Sequence, residues 1–128
     1  MLDHIGLAVT DIAKSRAFYE AALEPLGIRT LEVIDASKTE SGGTAVMMGA
    51  DEIFFVIADN EQPGEGTHVA FRADRRAQVD QFYKAAIAAG GKDNGAPGIR
   101  ERYHPNYYAA FVHDPDGINV EAVCHIGA

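Results

Sequence analysis

The chain has 128 residues, 47% of them apolar and 23% charged, which fits a single globular domain with a real core and excludes a disordered chain. A balance of 19 acidic against 11 basic residues gives a net charge of −8, and this disfavours nucleic acid and anionic membrane as partners, because neutralising phosphates takes clustered Lys and Arg. One cysteine, Cys124, excludes an internal disulfide. The start Met1-Leu2-Asp3-His4 carries no secretion signal, and no apolar run nears the roughly 18 residues of a membrane span, so the expected setting is the cytoplasm.

The chain opens on a strand in which Ile5, Leu7 and Val9 alternate with His4, Gly6 and Ala8. Asp11 is an N-cap for a helix that stripes Ile12, Tyr19, Leu23 and Leu26 and ends at Pro25 and Gly27. Three short strands follow, at 29–34, 44–48 and 53–58, punctuated by Gly42-Gly43 and Gly49. A polar, Gly-rich linker over 59–66 separates two modules, about 1–58 and about 67–128. The second module starts with a strand from His68 and a helix after Asp74 that stops at Gly90-Gly91. Gly95-Ala96-Pro97-Gly98 reads as a loop and 99–103 as a short strand. Strands at 107–113 and 118–125 then form a hairpin around Asp114-Pro115-Asp116-Gly117, with His113 opposite Ile118, Ala110 opposite Glu121 and Tyr108 opposite Val123.

The two modules repeat. Shifted by 64 residues, His4 falls on His68, Ala13 on Ala77, Phe18-Tyr19 on Phe82-Tyr83, Ala21-Ala22 on Ala85-Ala86 and Gly27 on Gly91. Seven of the 24 positions from His4 to Gly27 are identical, where chance gives roughly two. Each module reads β-α-β-β-β. The expected fold is therefore α+β: two βαβββ modules forming a cupped mixed sheet with the helices on its outer face.

Strand parity sorts the chemistry. Ile5, Leu7 and Val9 lie under the first helix, Val69 and Phe71 under the second, and Val120, Ala122 and Cys124 line the apolar face of the last strand. His4, His68 and Glu121 then all sit on faces that no helix covers. Two imidazoles and a carboxylate converge there if the halves curl around a common cavity. That set holds a divalent metal with open positions, as in catalytic zinc or the facial triad of non-haem Fe(II).

His4-Ile5-Gly6-Leu7-Ala8-Val9, His68-Val69-Ala70-Phe71 and the segment from Tyr108 through Asp114-Pro115-Asp116-Gly117 to Glu121 resemble the vicinal oxygen chelate superfamily, which includes glyoxalase I, extradiol dioxygenases and bleomycin-resistance proteins. The resemblance implies His4, His68 and Glu121 as ligands of a divalent metal (Zn, Fe(II), Mn, Ni or Co), a small-molecule substrate and a homodimer. Some short members exchange modules, so that His4 of one chain meets His68 and Glu121 of the other. The fourth ligand of glyoxalase I is missing: the repeat maps Glu121 onto Ile57, and the other inward candidate, Phe55, is also apolar. The implied activity is glyoxalase-type lyase or isomerase chemistry. An Fe(II)-dependent extradiol-type dioxygenase and a non-catalytic binding protein are the alternatives.

Glu121, Tyr108 and His104 are the candidate catalytic groups, with Tyr108 either an acid on the cup face or a packing aromatic. Arg72, Arg102, Tyr107 and Phe55 are the candidate substrate contacts. The loop from Arg100 to Tyr108 is either a substrate loop over the cup or a solvated connector, and Arg72 either draws in an anion or forms a salt bridge.

Overall fold

The computed structural model describes residues 1–127. The elements run β1 (Ile5–Ala8), α1 (Ile12–Leu23), β2 (Arg29–Ile34), β3 (Ala45–Gly49), β4 (Ile53–Ala58), β5 (His68–Arg72), α2 (Arg76–Ala88), β6 (Lys92–Ile99), β7 (Tyr108–His113) and β8 (Asn119–Cys124). Each module is βαβββ, as the repeat requires. The sheets are mixed and four-stranded, ordered β1-β4-β3-β2 and β5-β8-β7-β6. The central parallel pairs are β1 with β4 and β5 with β8, and the hairpins are antiparallel.

Local chemistry accounts for the helix boundaries. The Asp11 carboxylate caps α1 by accepting from the Lys14 N–H. α2 begins one residue later than the Asp74 reading, because the Gln78 side chain reaches back and accepts from the N–H groups of Asp74 and Arg75. Each helix covers one face of its own sheet and leaves the other open. The covered faces share a single core that runs from Leu7, Phe18 and Phe55 in the first module to Phe71, Phe82 and Val120 in the second.

The modules are also tied by polar contacts. The Tyr19 hydroxyl, fully buried on α1, donates to Asp114 at 2.5 Å, and the Thr10 N–H donates to Asp116 at 3.0 Å. The turn between β7 and β8 is thus anchored in the opposite module. Burial first, and then the charge of Asp114, push the Tyr19 hydroxyl far above its usual range.

Two sequence expectations change. Residues 95–98 are not a loop and 99–103 are not a strand: β6 occupies Lys92–Ile99, and its register shifts between Asp93 and Gly95 and again between Gly95 and Gly98. Gly and Pro are tolerated because β6 is an edge strand and bulged, so Pro97 withholds no obligatory ladder bond. The terminal hairpin is also displaced by one residue. Tyr108 pairs with Cys124, Phe111 with Glu121 and His113 with Asn119. Ile118 belongs to the turn rather than the strand: its carbonyl accepts from the Asp114 N–H, and its own N–H donates to the Asp114 carboxylate at 2.9 Å. Gly117 completes the turn at φ +83°, a backbone conformation natural to glycine.

Candidate functional site

The open face of the second sheet is built from alternate residues. His68, Ala70 and Arg72 of β5 pair with Asn119, Glu121 and Val123 of β8, and these in turn with His113, Phe111 and Ala109 of β7. His68 and Glu121 therefore face the same way, two positions apart along neighbouring strands. They meet: His68 Nε2 lies 3.0 Å from Glu121 Oε1. Glu121 is only 2% exposed, whereas the His68 side chain is 42% exposed.

The other ring nitrogen settles the chemistry of this contact. His68 Nδ1 is 2.9 Å from the Asn119 carbonyl oxygen, which can only accept, so Nδ1 carries a proton. In the neutral ring Nε2 then presents a lone pair to a carboxylate oxygen. Two acceptors at 3.0 Å need a cation between them, either a proton on Nε2 or a metal. A second bond locks the other carboxylate oxygen, since the Tyr107 hydroxyl donates to Glu121 Oε2. Burial and then that bond raise the Tyr107 pKa, so the group stays a donor.

The set fits a divalent metal. An imidazole whose Nδ1–H is held by a carbonyl and whose Nε2 presents a lone pair is the usual form of a histidine ligand, and among the described residues the buried carboxylate pairs with no Lys or Arg. One chain supplies two of the three expected ligands. His4, exposed ahead of β1, contacts Asp3 at 2.6 Å, and among the described residues no three His, Cys, Asp or Glu side chains come together. The convergence of His4, His68 and Glu121 within one chain is thus not found. The reason is topological: β1, which His4 precedes, and β5, which begins at His68, are edge strands of different sheets.

The remaining candidates scatter. Tyr108 lies on the helix side, because the one-residue shift of register reverses its face. Its hydroxyl donates to Asp80 of α2 at 2.6 Å and its ring lies 5.1 Å from the Arg76 guanidinium, so Tyr107 takes the place expected for it. Phe55 is fully buried on the covered face, edge-on to Tyr19 and Phe71 at 5.1 Å each; it is core and not a substrate contact. The residue facing Gly6 as Glu121 faces Ala70 is Val56 rather than Ile57, and it too is apolar. Arg72 is exposed and forms no salt bridge among the described residues, and with His68 it lines a cleft of about 510 Å³ that Leu2, Asp3 and Phe54 close from the other module. Arg102 is exposed, 5.2 Å over Tyr103. His104 accepts from the Asn106 N–H and stands edge-on to His125 at 6.0 Å, beside Tyr107.

Sequence reasoning missed Phe111, and it named Arg100 only as the first residue of the Arg100–Tyr108 loop. The Phe111 ring stacks with His68 at 6.4 Å between centroids, and the Arg100 guanidinium lies over the same Phe111 ring, 5.3 Å from its centroid. The signal for Phe111 was strand parity with Glu121, hidden by the hairpin shift.

Comparison with known proteins agrees with this architecture. The sequence profile of the Glyoxalase/Bleomycin resistance protein/Dioxygenase superfamily matches residues 1–122. The uncharacterised protein YqjT of Bacillus subtilis strain 168 is 31% identical over 137 aligned positions, covering 95% of this chain and 97% of its own. A crystal structure of a glyoxalase/bleomycin resistance protein from Albidiferax ferrireducens T118 superposes with a TM-score of 0.73 at 28% identity, covering 97% of this chain and 98% of that one. Glyoxalase I from Zea mays superposes equally well, at 0.73, with 21% identity over 99% of this chain but 45% of the maize chain, a likeness of fold alone.

Proposed function

The chain belongs to the Glyoxalase/Bleomycin resistance protein/Dioxygenase superfamily, and from that premise we propose that it is a small metal-dependent enzyme acting on a substrate with two neighbouring oxygens, by glyoxalase-type lyase or isomerase chemistry. The observation that carries the reading is the His68–Glu121 pair, in which a lone pair faces a buried carboxylate and a cation is needed between them. His68 and Glu121 of one chain and His4 of a second copy form the ligand set, in a homodimer that brings the two exposed edges, β1 and β5, together.

His68 and Glu121 would hold a divalent metal, which would supply Lewis-acid polarisation of a substrate oxygen. The residues of the chain do the rest. The Asn119 carbonyl fixes the tautomer and orientation of His68. The Tyr107 hydroxyl holds Glu121 Oε2, so the carboxylate keeps one orientation. Glu121 would also accept a proton from a carbon beside that oxygen, through Oε1, since Oε2 is held by Tyr107. Its burial supports that role, because water is kept from the oxygen that must exchange the proton.

The test is metal content by elemental mass spectrometry on untagged protein reconstituted with Zn, Mn, Ni, Co or Fe(II). About one ion per chain is expected, lost in both His4→Ala and His68→Ala. Mixing and re-annealing the two variants regenerates one intact site in each heterodimer, so about one ion per four chains returns. No metal in the wild type overturns the reading and leaves a small-molecule binding protein on the same fold. Metal retained by His4→Ala restricts the site to one chain. The metal found also separates the dioxygenase alternative, which requires Fe(II) and consumes oxygen.

A further inference from the structure

Arg100 is held by two backbone carbonyls and an aromatic ring together. Its Nη1 donates to the Gly98 carbonyl and its Nη2 to the Ala96 carbonyl, both at 2.8 Å, and its guanidinium lies over the Phe111 ring. The bulges of β6 make room for it. Gly95 pairs with Phe111, and a Cβ at Gly95 would stand 3.0 Å from Arg100 Nη2 and 3.1 Å from Phe111 Cδ1, so the guanidinium occupies the space a side chain would fill. Gly95 also sits at φ +149°. Gly98 repeats the arrangement, its absent Cβ 3.3 Å from Nη1. The run Gly95-Ala96-Pro97-Gly98 is thus a cradle for one cation on the open face.

Among the described residues that cation forms no ion pair: the pairs present join His4 to Asp3, Arg16 to Glu20 and His68 to Glu121. In a chain of net charge −8, a partly buried arginine pinned only by neutral carbonyls keeps its full attraction for an anion. Two of its five N–H donors are spent on the carbonyls, and one face is covered by Phe111. What remains is an edge of the planar fork, the shape that pairs two-pronged with a carboxylate. One phenyl ring separates it from the imidazole of His68.

We propose that Arg100 in its glycine cradle is a carboxylate-binding subsite, and that the substrate of the His68–Glu121 site carries a carboxylate at the end remote from its reacting oxygens. The second half of this inference rests on the proposed metal site; the first half does not. It is tested by following the Arg100 Nε–Hε resonance in metal-free protein (stripped with EDTA) during titration with glutarate, and with glutaramide as its uncharged counterpart. The Arg100→Gln variant assigns the resonance. A saturable shift with glutarate, none with glutaramide, and at least tenfold weaker glutarate binding in Arg100→Gln, read at the Phe111 amide, are expected. An unmoved Arg100 resonance, an equal response to glutaramide, or unchanged affinity in Arg100→Gln overturns the subsite. No metal enters this measurement, so its failure is distinct from failure of the metal site, which metal content alone decides.

Discussion

Replacing Glu121 by Gln separates a metal site from a structural ion pair, because the two predict opposite signs. With a neutral ring and no metal, the lone pair of His68 Nε2 faces Glu121 Oε1 at 3.0 Å, two acceptors with nothing between them. The Gln amide nitrogen donates to Nε2 directly, while its oxygen still accepts from Tyr107 in place of Oε2. The variant gains one ordinary hydrogen bond and sheds a buried charge, about 1 kcal/mol after allowing for the exposure of His68. An unfolding entropy of about 2.1 cal/mol/K per residue makes this about 4 °C in Tm for a chain of this length. Metal works the other way. At a concentration one hundred times its Kd, it stabilises the wild type by about 2.7 kcal/mol, or about 10 °C, and Gln, a poor ligand, forfeits this. Scanning calorimetry with EDTA and with Co(II) measures both. The expected result is a variant that melts higher than wild type without metal and lower with it. A variant that melts lower in both conditions, with metal raising the two alike, refutes the argument: the pair is then a structural salt bridge and the metal binds elsewhere.

Two further predictions concern the scaffold. Phe55→Ala empties a fully buried site against Tyr19 and Phe71 and costs about 3–5 kcal/mol in urea denaturation, while metal affinity per folded chain is unchanged; a loss of metal affinity without loss of stability would return Phe55 to the site. Asp114 governs a pH dependence. Burial raises its carboxyl above the ordinary 3.8, against the pull of Tyr19 and two backbone N–H groups, so the folded state binds this proton more tightly than the unfolded state. As the pH falls through the raised value towards 3.8, the wild type gains stability relative to Asp114→Asn, which has no proton to take up. Denaturation of both proteins between about pH 7 and pH 4 measures the difference, and a difference that stays constant or moves against the wild type contradicts it.

The sequence by itself determined the duplicated βαβββ order, the bounds of β2 and β4, the Asp11 cap and the burial of Cys124, because these follow from local periodicity and from a repeat of 64 residues. It also pointed to His68 and Glu121 on one face, since parity within a strand needs no knowledge of the neighbour. Tertiary structure decided everything that depends on pairing. The Asp114 side chain draws Ile118 into the turn, which moves the β7–β8 register by one residue, and a period of two turns that one residue into a change of face: Tyr107 replaces Tyr108, and Phe111 arrives beside His68. β6 was hidden because its bulges break the alternation that reveals strands, and with it was hidden the cradle of Arg100. The separation of His4 from His68 was equally illegible. His68 begins β5 and His4 immediately precedes β1, but whether two edge strands meet in one chain or across two is set by how the modules pack, and no local pattern encodes that.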